Sequence, residues 1–306
     1  MLVSILSMKF SSATLAYFLE ICREKGFSQA ANRLEKSQSA ISTQIGLLEK
    51  ELGVKLFDRS KRPLLITEAG QLFLEFARDV LNKTEDFERY VSELSSGIAG
   101  EVRIGASTSV GTYILPAIIS QFLRKFPRVK VSLSTQPRSL VFESVRRADV
   151  DFGLVLSDKP PNGLEFRTLK AERLCLFTSS NHALSRKRRV QIADLKSIPF
   201  VVGPNGTEYT EMISRILTGY GLSDYRVAAR ISNFEGVKEV VHAGLGVGLL
   251  PHFMIRSEIR ERTLQQLKVQ GFNASATIMQ IERVEHLATP TILRVKDFFS
   301  SAILRL

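Results

Sequence analysis

The sequence predicts an α/β protein in three parts: a small helical segment, one long helix, and a larger region of alternating strands and helices. Its 306 residues suggest about two domains, at roughly 150 residues each. Apolar residues recur at helical spacing up to about residue 95, and short apolar runs alternate with helical segments after residue 100. The composition, with 44% hydrophobic and 24% charged residues, excludes a disordered or fibrous chain.

The same composition limits where the protein works. No stretch approaches 18 consecutive apolar residues, so a transmembrane helix is not expected. Two cysteines, Cys22 and Cys175, are too few for a disulfide scaffold and favour a reducing compartment. Residues 1–7 are apolar but shorter than a signal-peptide core. We therefore expect a cytoplasmic protein without a membrane partner.

The net charge of +11 is unevenly distributed. Residues 1–95 carry thirteen basic and thirteen acidic side chains, so the whole excess lies in residues 96–306. Within the first part, residues 1–66 have a net charge of +4 and residues 67–95 of −4. A basic chain favours a nucleic-acid partner. The location of the excess does not identify the contact surface, so local motifs must do so.

The first 35 residues predict two helices. Gly26 is the expected end of the first, because glycine adopts the left-handed C′ conformation at little cost. Ser28 is the expected cap of the second, whose small Ala30 and Ala31 would let another helix approach closely. The inner face of the first helix is expected to contain Leu15, Phe18, Leu19 and Cys22.

A third helix is expected between Ser37, its cap, and Gly53. Its inward residues would be Ile41, Ile45, Leu48 and Leu52. Its outward residues near the N-terminus are Gln38, Ser39, Ser42, Thr43 and Gln44. Short hydroxyl and amide groups can hydrogen-bond base edges in a major groove. These features predict a helix-turn-helix, with a small helical core that has a neutral polar face as the alternative.

Residues 54–67 predict a two-stranded wing. Apolar residues at 56–57 and 64–66 flank a polar tip that carries Arg59, Lys61 and Arg62. These cations could bind phosphates beside the groove, whereas a solvated charged loop is the alternative. Their position after a recognition-type helix favours phosphate contact.

Four segments together resemble the N-terminal domain of LysR-type transcriptional regulators: residues 27–34, 37–42, 48–57 and 65–70. The resemblance implies a winged helix-turn-helix that binds double-stranded promoter DNA. By position it implies base contacts from Ser37, Gln38, Ser39 and Ser42, and phosphate contacts from Arg33, Arg59 and Arg62. The chain departs from the family at Gly46, where a long basic or polar side chain is common.

A long helix is expected from Thr67, its cap, to about Ser95. Residues at heptad spacing form a seam interrupted by Lys83: Phe73, Phe76, Val80, Phe87, Tyr90 and Leu94. The seam is expected to pack against a second copy, with packing on the C-terminal domain of its own chain as the alternative. The resemblance agrees with a dimer, and we expect two dimers to form a tetramer. RNA polymerase is a further candidate partner.

The remaining chain predicts two α/β lobes. Strands are expected at residues 102–106, 129–135, 151–156, 174–178, 200–202 and 227–231, with helices at 111–126, 140–147, 210–219 and 236–243. This alternation predicts parallel sheets. The predicted domains are residues 1–67, 68–99 and 100–306, the last with lobe I at about 100–165 and 270–306 and lobe II at about 166–269.

A ligand cleft is expected at the carboxyl ends of these strands. Ser107, Thr108 and Ser109 follow the first strand, and their hydroxyls with free helix N–H groups could bind an anion. Simple helix capping is the alternative. Asn205 and Thr207 follow another strand and are expected to face that loop across the cleft.

Residues 102–107, 150–154 and 244–251 resemble the effector-binding domain of the same family, which has a two-lobed fold like that of periplasmic solute-binding proteins. The resemblance implies an unidentified small-molecule co-inducer and no other cofactor. By position the cleft would be lined by Ser107, Thr108, Ser139, Gly203 and Thr207. Arg138 suggests an anionic effector, with a solvated arginine as the alternative.

The sequence predicts neither an enzyme nor a metal protein. Its four histidines, at positions 182, 242, 252 and 286, lack partners at metal-ligand spacing, and no nucleophile elbow, Walker loop or paired-cysteine motif occurs. Two alternatives remain beside an effector-controlled regulator. A cysteine-redox sensor would need two cysteines in the effector half, where only Cys175 lies. A cytoplasmic solute-binding module would leave the first 95 residues unexplained.

Overall fold

The computed structural model describes residues 11–284 and 287–306, without the side chains of residues 94–96. The chain divides into two compact units, an N-terminal unit that ends at Ser95 and a regulatory unit that begins at Ser96. In the described residues no helix is both long and apolar enough to cross a membrane. The domain boundaries derived from the sequence stay predictions.

In its described residues the N-terminal unit contains four helices and one hairpin. They are α1 (Ser12–Glu24), α2 (Phe27–Arg33), α3 (Gln38–Leu52), β1 (Phe57–Asp58), β2 (Leu65–Ile66) and α4 (Glu68–Ser96). The strands pair antiparallel, with Phe57 opposite Ile66. The ring of Phe18 lies at the centre of the core, 5.0 Å from Phe57 and 4.9 Å from Phe73 between ring centroids. The predicted three helices, wing and long helix are therefore all present.

The helix ends test the capping predictions. The Ser37 hydroxyl accepts a hydrogen bond from the Ala40 N–H at 3.2 Å, which confirms this cap. The predictions for Gly26 and Ser28 were wrong, because α2 begins earlier than its apolar pattern indicates. The left-handed residue after α1 is Lys25 at φ 53°, whereas Gly26 is extended and precedes α2. Ser28 lies inside α2.

Nine strands lie in the part of the regulatory unit that the structure describes. They are β3 (Gly100–Ser107), β4 (Val129–Gln136), β5 (Phe152–Ser157), β6 (Glu165–Ser179), β7 (Phe200–Val202), β8 (Val227–Arg230), β9 (Val247–Pro251), β10 (Leu264–Gln266) and β11 (Ser275–Glu282). Their order is β4-β3-β5-β11-β6-β9-β7-β8, with β10 also paired to β6. Only β3–β4, β3–β5, β7–β8 and β7–β9 pair in parallel. The prediction of parallel sheets was therefore wrong for the centre of the unit, where β6 and β11 run antiparallel to their neighbours.

Eight α-helices cover these strands in the described part of the regulatory unit. They are α5 (Thr108–Tyr113), α6 (Leu115–Lys125), α7 (Arg138–Arg146), α8 (Ile192–Leu195), α9 (Glu208–Gly219), α10 (Phe234–His242), α11 (His252–Glu261) and α12 (Pro290–Leu304). Each of α5, α7 and α9 begins within six residues after the end of a strand. Their N-terminal ends therefore lie at the strand edge where a ligand cleft is expected.

Strand β6 joins two lobes. Its residues 165–173 pair with β11, and residues 174–179 pair with β9 and β10. We call the part with β3, β4, β5, β11 and α12 lobe I, and the part with β7–β10 lobe II. The sequence predicted only residues 174–178 of this strand, because its first half is rich in polar residues and mostly exposed.

Candidate functional site

The outward face of α3 carries polar side chains on a rigid support. Ile41, Ile45 and Leu48 are buried and fix the helix in the core. Gln38, Ser39, Thr43 and Gln44 are exposed and Ser42 is half-buried, so the predicted base-reading residues lie on one accessible surface. Several of the hydroxyl and amide groups already have partners. The Ser28 hydroxyl donates to Gln38 Oε1 at 2.7 Å, and the Ser37 hydroxyl caps the helix and lies 3.2 Å from the Ser39 hydroxyl.

The guanidinium of Arg59 lies against α3. Its Nη1 donates to Ser42 Oγ at 3.1 Å, and the guanidinium carbon lies 4.7 Å from the ring centroid of Phe27. Its Nη2 lies 3.6 Å from Glu49 Oε2. The sequence placed Arg59 on the wing tip as a phosphate ligand, whereas the structure places its charge beside the helix. Arg59 therefore places a positive charge beside the exposed polar face of α3.

The other predicted phosphate ligands differ in their partners. Lys61 and Arg62 are exposed on the wing, and neither forms an ion pair with another described residue. Arg33 is 63% exposed, and its Nε lies 3.4 Å from Glu20 and 3.8 Å from Glu24 of α1. These contacts hold the guanidinium of Arg33 at the α1–α2 surface. Lys61 and Arg62 are thus the two cations of the wing that remain available to an anion.

Glu49, which the sequence analysis did not single out, joins α3 to the wing. Its Oε1 accepts hydrogen bonds from the N–H groups of Leu56 at 3.0 Å and Phe57 at 3.3 Å, and its Oε2 accepts one from Lys55 at 2.9 Å. Burial alone would raise the pKa of Glu49, but these hydrogen bonds outweigh it and hold the pKa below the usual value. The sequence pattern could have indicated its burial, because residue 49 follows Ile45 by four positions and so falls on the inward face of α3.

The cleft between the lobes contains a cavity of about 330 Å³. Lobe I contributes the start of α5, Arg138 and the end of β5, and lobe II contributes the ends of β7 and β9 with the starts of α9 and α10. Much of the wall is apolar, including Leu156, Val201, Ile213, Phe234 and Leu249. Such a cavity is suited to a small organic ligand.

Hydroxyl groups line one side of this cavity. Thr108 is exposed to it, and Ser109 is only 4% exposed yet belongs to its wall. No hydrogen bond of the Ser109 hydroxyl is found among the described residues. Ser107 has a structural task, because its Oγ accepts a hydrogen bond from the Leu156 N–H at 3.0 Å and joins β3 to β5. Thr207 lines the cavity and caps α9 by accepting from the Thr210 N–H at 3.3 Å.

Charged side chains bridge the two lobes beside the cavity. Arg138 of lobe I donates to Ser157 Oγ at 2.7 Å and to Asp158 at 3.3 Å, and its Nη2 lies 3.8 Å from Glu208 of lobe II. The second oxygen of Glu208 accepts the Ser139 N–H at 3.0 Å. Arg138 is thus paired and its side chain is only 18% exposed, so the alternative of a solvated arginine is wrong, whereas its contact with an anionic effector stays a prediction. Its buried Nε donates to none of the described atoms.

Asp158 extends this bridge. Arg215 of α9 lies 2.7 Å from Asp158 Oδ2 and so pairs lobe II with lobe I. Burial raises the pKa of Asp158, but hydrogen bonds from Arg215 and Arg138 outweigh it, so the pKa lies below its usual value. The carboxylate is therefore ionised at neutral pH, and both arginines are held by it.

Tyr113 forms a further bridge at the end of α5. Its hydroxyl donates to Glu235 Oε1 of α10 at 2.5 Å, and its ring lies 5.2 Å from Lys238 Nζ. Burial, together with Glu235, raises the pKa of Tyr113 far above its usual value. Lys238 is itself buried and pairs with Glu235 and Glu258. Tyr113 thus joins lobe I to a charged cluster of lobe II.

Two predicted cleft residues do not reach the cavity. Ser139 and Asn205 are exposed and do not belong to its walls, whereas Gly203 does. The sequence analysis missed Glu208, Glu235 and Tyr113. Glu208 and Glu235 had a signal, because each is an acidic residue in the first turn of a helix that follows a strand.

Comparison with known families decides what these two surfaces belong to. Residues 13–71 match the family described as "Bacterial regulatory helix-turn-helix protein, lysR family". Residues 95–303, more than half of the chain, match the "LysR substrate binding domain". The chain belongs to the LysR family. It is therefore a DNA-binding transcriptional regulator with a winged helix-turn-helix and an effector-binding domain, as its sequence predicted.

Individual relatives agree with the LysR assignment. A probable RuBisCO transcriptional regulator of Thalassiosira pseudonana is 26% identical over 278 residues, which cover 89% of this chain and 91% of the relative. Full-length OxyR from Pseudomonas aeruginosa matches with a TM-score of 0.72 at 20% identity, over 96% of this chain and 94% of that one. CbnR complexed with its target DNA matches with a TM-score of 0.66 at 22% identity, over 97% and 99% of the chains. Both structures share the fold.

The predicted seam of this LysR-family chain is divided between core and surface. Phe73 is 7% exposed and packs on Phe18, so it belongs to the core of the N-terminal unit and is not available to a second copy. Phe76 is 42% and Phe87 58% exposed, while Val80 and Tyr90 are half-buried. The side chain of Leu94 lies outside those described. Leu72 and Val91, which were not predicted, add further exposed apolar surface.

The thiols of this LysR-family chain lack the environment of a redox sensor. Burial raises the pKa of Cys175 to about 11 and that of Cys22 to about 12. The reactive thiolate is therefore scarce at neutral pH. In the described residues no group of three His, Cys, Asp or Glu side chains could hold a metal ion; His286 lies outside them.

Proposed function

We propose that this LysR-type regulator binds promoter DNA through α3 and the wing, and that a small organic acid in the cleft controls its response. The observation that carries the proposal is the cavity of about 330 Å³ between the lobes, together with the charged contacts that bridge them. A ligand there touches both lobes. It can therefore favour one arrangement of the lobes over another. The size of the shift is set by the difference between the ligand's affinities for the two arrangements.

The chemical class of the effector follows from the cavity walls. Apolar side chains would hold its body, and the hydroxyls of Thr108 and Ser109 would orient polar groups at one side. The carboxylate of Glu208 accepts a hydrogen bond from the Ser139 N–H and faces Arg138, so these two groups already serve as donors to a carboxylate. The acid group of an effector would replace Glu208 there and also satisfy Nε of Arg138. The effector is therefore an anion that competes with Glu208.

Self-association would place two copies of α3 on one operator. Exposed apolar residues recur along α4 at 72, 76, 87 and 91, and burial of this stripe against a second α4 would remove it from water. A symmetric dimer binds two half-sites about one helical turn or a multiple apart. We propose a dimer through this stripe and a tetramer as a pair of dimers, with RNA polymerase as a further partner.

The DNA proposal is tested with Ser42→Arg. Ser42 lies on the outward face of α3 and accepts a hydrogen bond from Arg59, so a second arginine there disrupts that face. We expect DNA selected from a random pool by the wild type to show footprints that Ser42→Arg loses, with an unchanged sedimentation coefficient. Ser223→Arg adds the same charge at an exposed position of the regulatory unit and should retain the footprint. An unchanged footprint in Ser42→Arg would remove α3 from the DNA interface.

The effector proposal is tested by thermal shift of the full chain against small organic acids. A ligand at 100 times its Kd adds about 2.7 kcal/mol to the folded state, enough to raise Tm by a few degrees. Thr108→Val removes one cavity hydroxyl and should reduce the shift. Thr218→Val makes the same change at an exposed position of α9 and should not. A shift that persists fully in Thr108→Val would place the ligand outside the cleft.

A further inference from the structure

A larger cavity of about 780 Å³ lies elsewhere on the regulatory unit. We call it the basic groove; it lies between α6, α11, α12 and β6. Apolar and aromatic side chains line it: Ile114, Ala117, Ile118, Phe126, Phe253 and Phe298. Its volume falls within the range of small-molecule sites.

Cations from four elements or their ends line this groove: Lys125, Lys170, Arg173, Arg256, Arg294 and Arg305. The carboxylates in its lining are Glu172 and Asp297, so the side chains give a net charge of +4. Among the described residues none of the six cations forms an ion pair, and Glu172 instead accepts the Phe253 N–H at 3.3 Å. In the cleft, by contrast, Arg138, Arg215 and Lys238 are all paired.

Unpaired cations gathered around a concave surface repel one another and create a positive potential. An anion in the groove would relieve that repulsion. The apolar lining also favours a ligand with an apolar or aromatic body, because inorganic phosphate or sulfate would leave the apolar side chains in contact with water. Lys125 Nζ and the Arg294 guanidinium lie 5.8 and 6.0 Å from the ring centroid of Phe126, so charge and aromatic surface occur together.

We propose that the basic groove is a second ligand site, which binds an organic anion of nucleotide size with two or more negative charges and an aromatic or apolar body. The charges would contact the cations of β6, α11 and α12, and the body would lie on Phe126, Phe253 and Phe298. The proposal does not depend on the effector in the cleft.

The groove is connected to the cleft through two features. Tyr113 lines both cavities: its ring lies 6.4 Å from Phe253 of the groove, and its hydroxyl is bonded to Glu235 of the cleft. Residues 170–173 of the groove belong to β6, the strand that joins the lobes. Because the groove contains residues of both lobes, its occupant would shift the same equilibrium as the cleft effector. By linkage, each ligand would then change the affinity for the other by the same factor.

The test uses ATP as a polyanionic probe with an aromatic body, in calorimetric titrations of the full chain at low salt without magnesium. Adenosine supplies the body alone, and inorganic triphosphate supplies the charge alone. We expect ATP to bind most tightly, triphosphate more weakly and adenosine not measurably. The triple variant Arg173→Gln, Arg256→Gln, Arg294→Gln should weaken ATP binding by at least about tenfold, because each ion pair contributes about 1 kcal/mol even in water.

The matched control removes the same charge from another surface. Arg186, Arg188 and Arg189 are exposed and do not line the groove, and their triple change to Gln should leave ATP affinity within about twofold, since none of them would contact an anion bound there. Equal losses in both triple variants would indicate diffuse attraction and overturn the proposal. So would the absence of ATP binding at millimolar concentration, or its loss in Thr108→Val, which would place ATP in the cleft. If circular dichroism shows that the groove triple is misfolded, Arg294→Gln alone replaces it, with Arg188→Gln as its control.

Discussion

Glu49 and Glu208 both join two elements of the fold, yet they do so in different ways. Glu49 has a side chain only 1% exposed and accepts two backbone N–H groups seven and eight positions along the chain. Glu208 has a side chain 33% exposed and accepts one backbone N–H, 69 residues away, across a cleft. The first contact makes the DNA-facing unit a fixed surface. In the proposed function the second contact would be replaced by a ligand, which would let the lobes of the regulatory unit change their arrangement.

The largest effect expected from this comparison is that of Glu49→Ala. It leaves the N–H groups of Leu56 and Phe57 buried without an acceptor, and each such group costs about 1–3 kcal/mol. We expect urea unfolding of the N-terminal unit to show a loss of about 3 kcal/mol. Glu88→Ala, at an exposed position of α4, should change stability by less than about 0.5 kcal/mol. Equal losses in both variants would mean that Glu49 has no special structural part.

Protonation of Glu49 at low pH should weaken its hydrogen bonds with the N–H groups of Leu56 and Phe57. The pKa of Glu49 is lower in the folded chain than its usual value of 4.5, so its contribution is complete above that pH and is lost as the pH falls through the folded value. We expect the free energy of unfolding to decrease below pH 4.5, and Glu49→Gln to decrease less steeply. Parallel pH profiles for wild type and variant would exclude Glu49 as the source.

Loss of the hydrogen bond between the Ser139 N–H and Glu208 should have a smaller effect than loss of Glu49, and the effect should be confined to the residues around that bond. Glu208→Gln replaces a charged acceptor of the Ser139 N–H, and a hydrogen bond of about 1 kcal/mol corresponds to a change of roughly fivefold. Hydrogen exchange at the Ser139 amide should therefore accelerate about fivefold. Glu143→Gln, which removes an i,i+4 pair on the same helix, should leave this amide unchanged. An unaltered rate in Glu208→Gln would show that the lobes are not held by this bridge.

The smallest effect concerns two glycines in helices of the N-terminal unit. A Cβ on Gly46 would meet no atom within 4 Å, so Gly46→Ala should stabilise α3 by up to about 1 kcal/mol. A Cβ on Gly70 would lie 2.2 Å from the Leu56 carbonyl oxygen, so Gly70→Ala should destabilise the unit. Thermal unfolding of the pair should give shifts of opposite sign. Two shifts of the same sign would contradict the packing described for these positions.

The same contrast explains how much the sequence could predict. The N-terminal helices, the wing and the Ser37 cap depend on neighbours a few residues away, and they were predicted. The pairing of β6 with β11 joins residues about 110 positions apart, such as Arg173 and Ser275, so no local pattern contained it. In the candidate site the hydroxyls after β3 were predicted from their position, and Thr108 and Ser109 line the cavity. The bridge from Arg138 to Glu208 was not, because it depends on the relative placement of two lobes.

Strand β6 has a mechanical consequence. The backbone passes between the lobes along β6 and returns between β10 and β11, so the lobes are tied at two points. Two chain crossings side by side resist sliding and twisting of one lobe against the other. They allow the lobes to bend about the line that joins the two crossings. Because β6 remains hydrogen-bonded on both sides of that line, bending is elastic and needs no strand to detach. In the proposed function, opening and closing of the cleft would then be essentially a change in one angle between the lobes, and an occupant of a few hundred daltons would select the value of that angle.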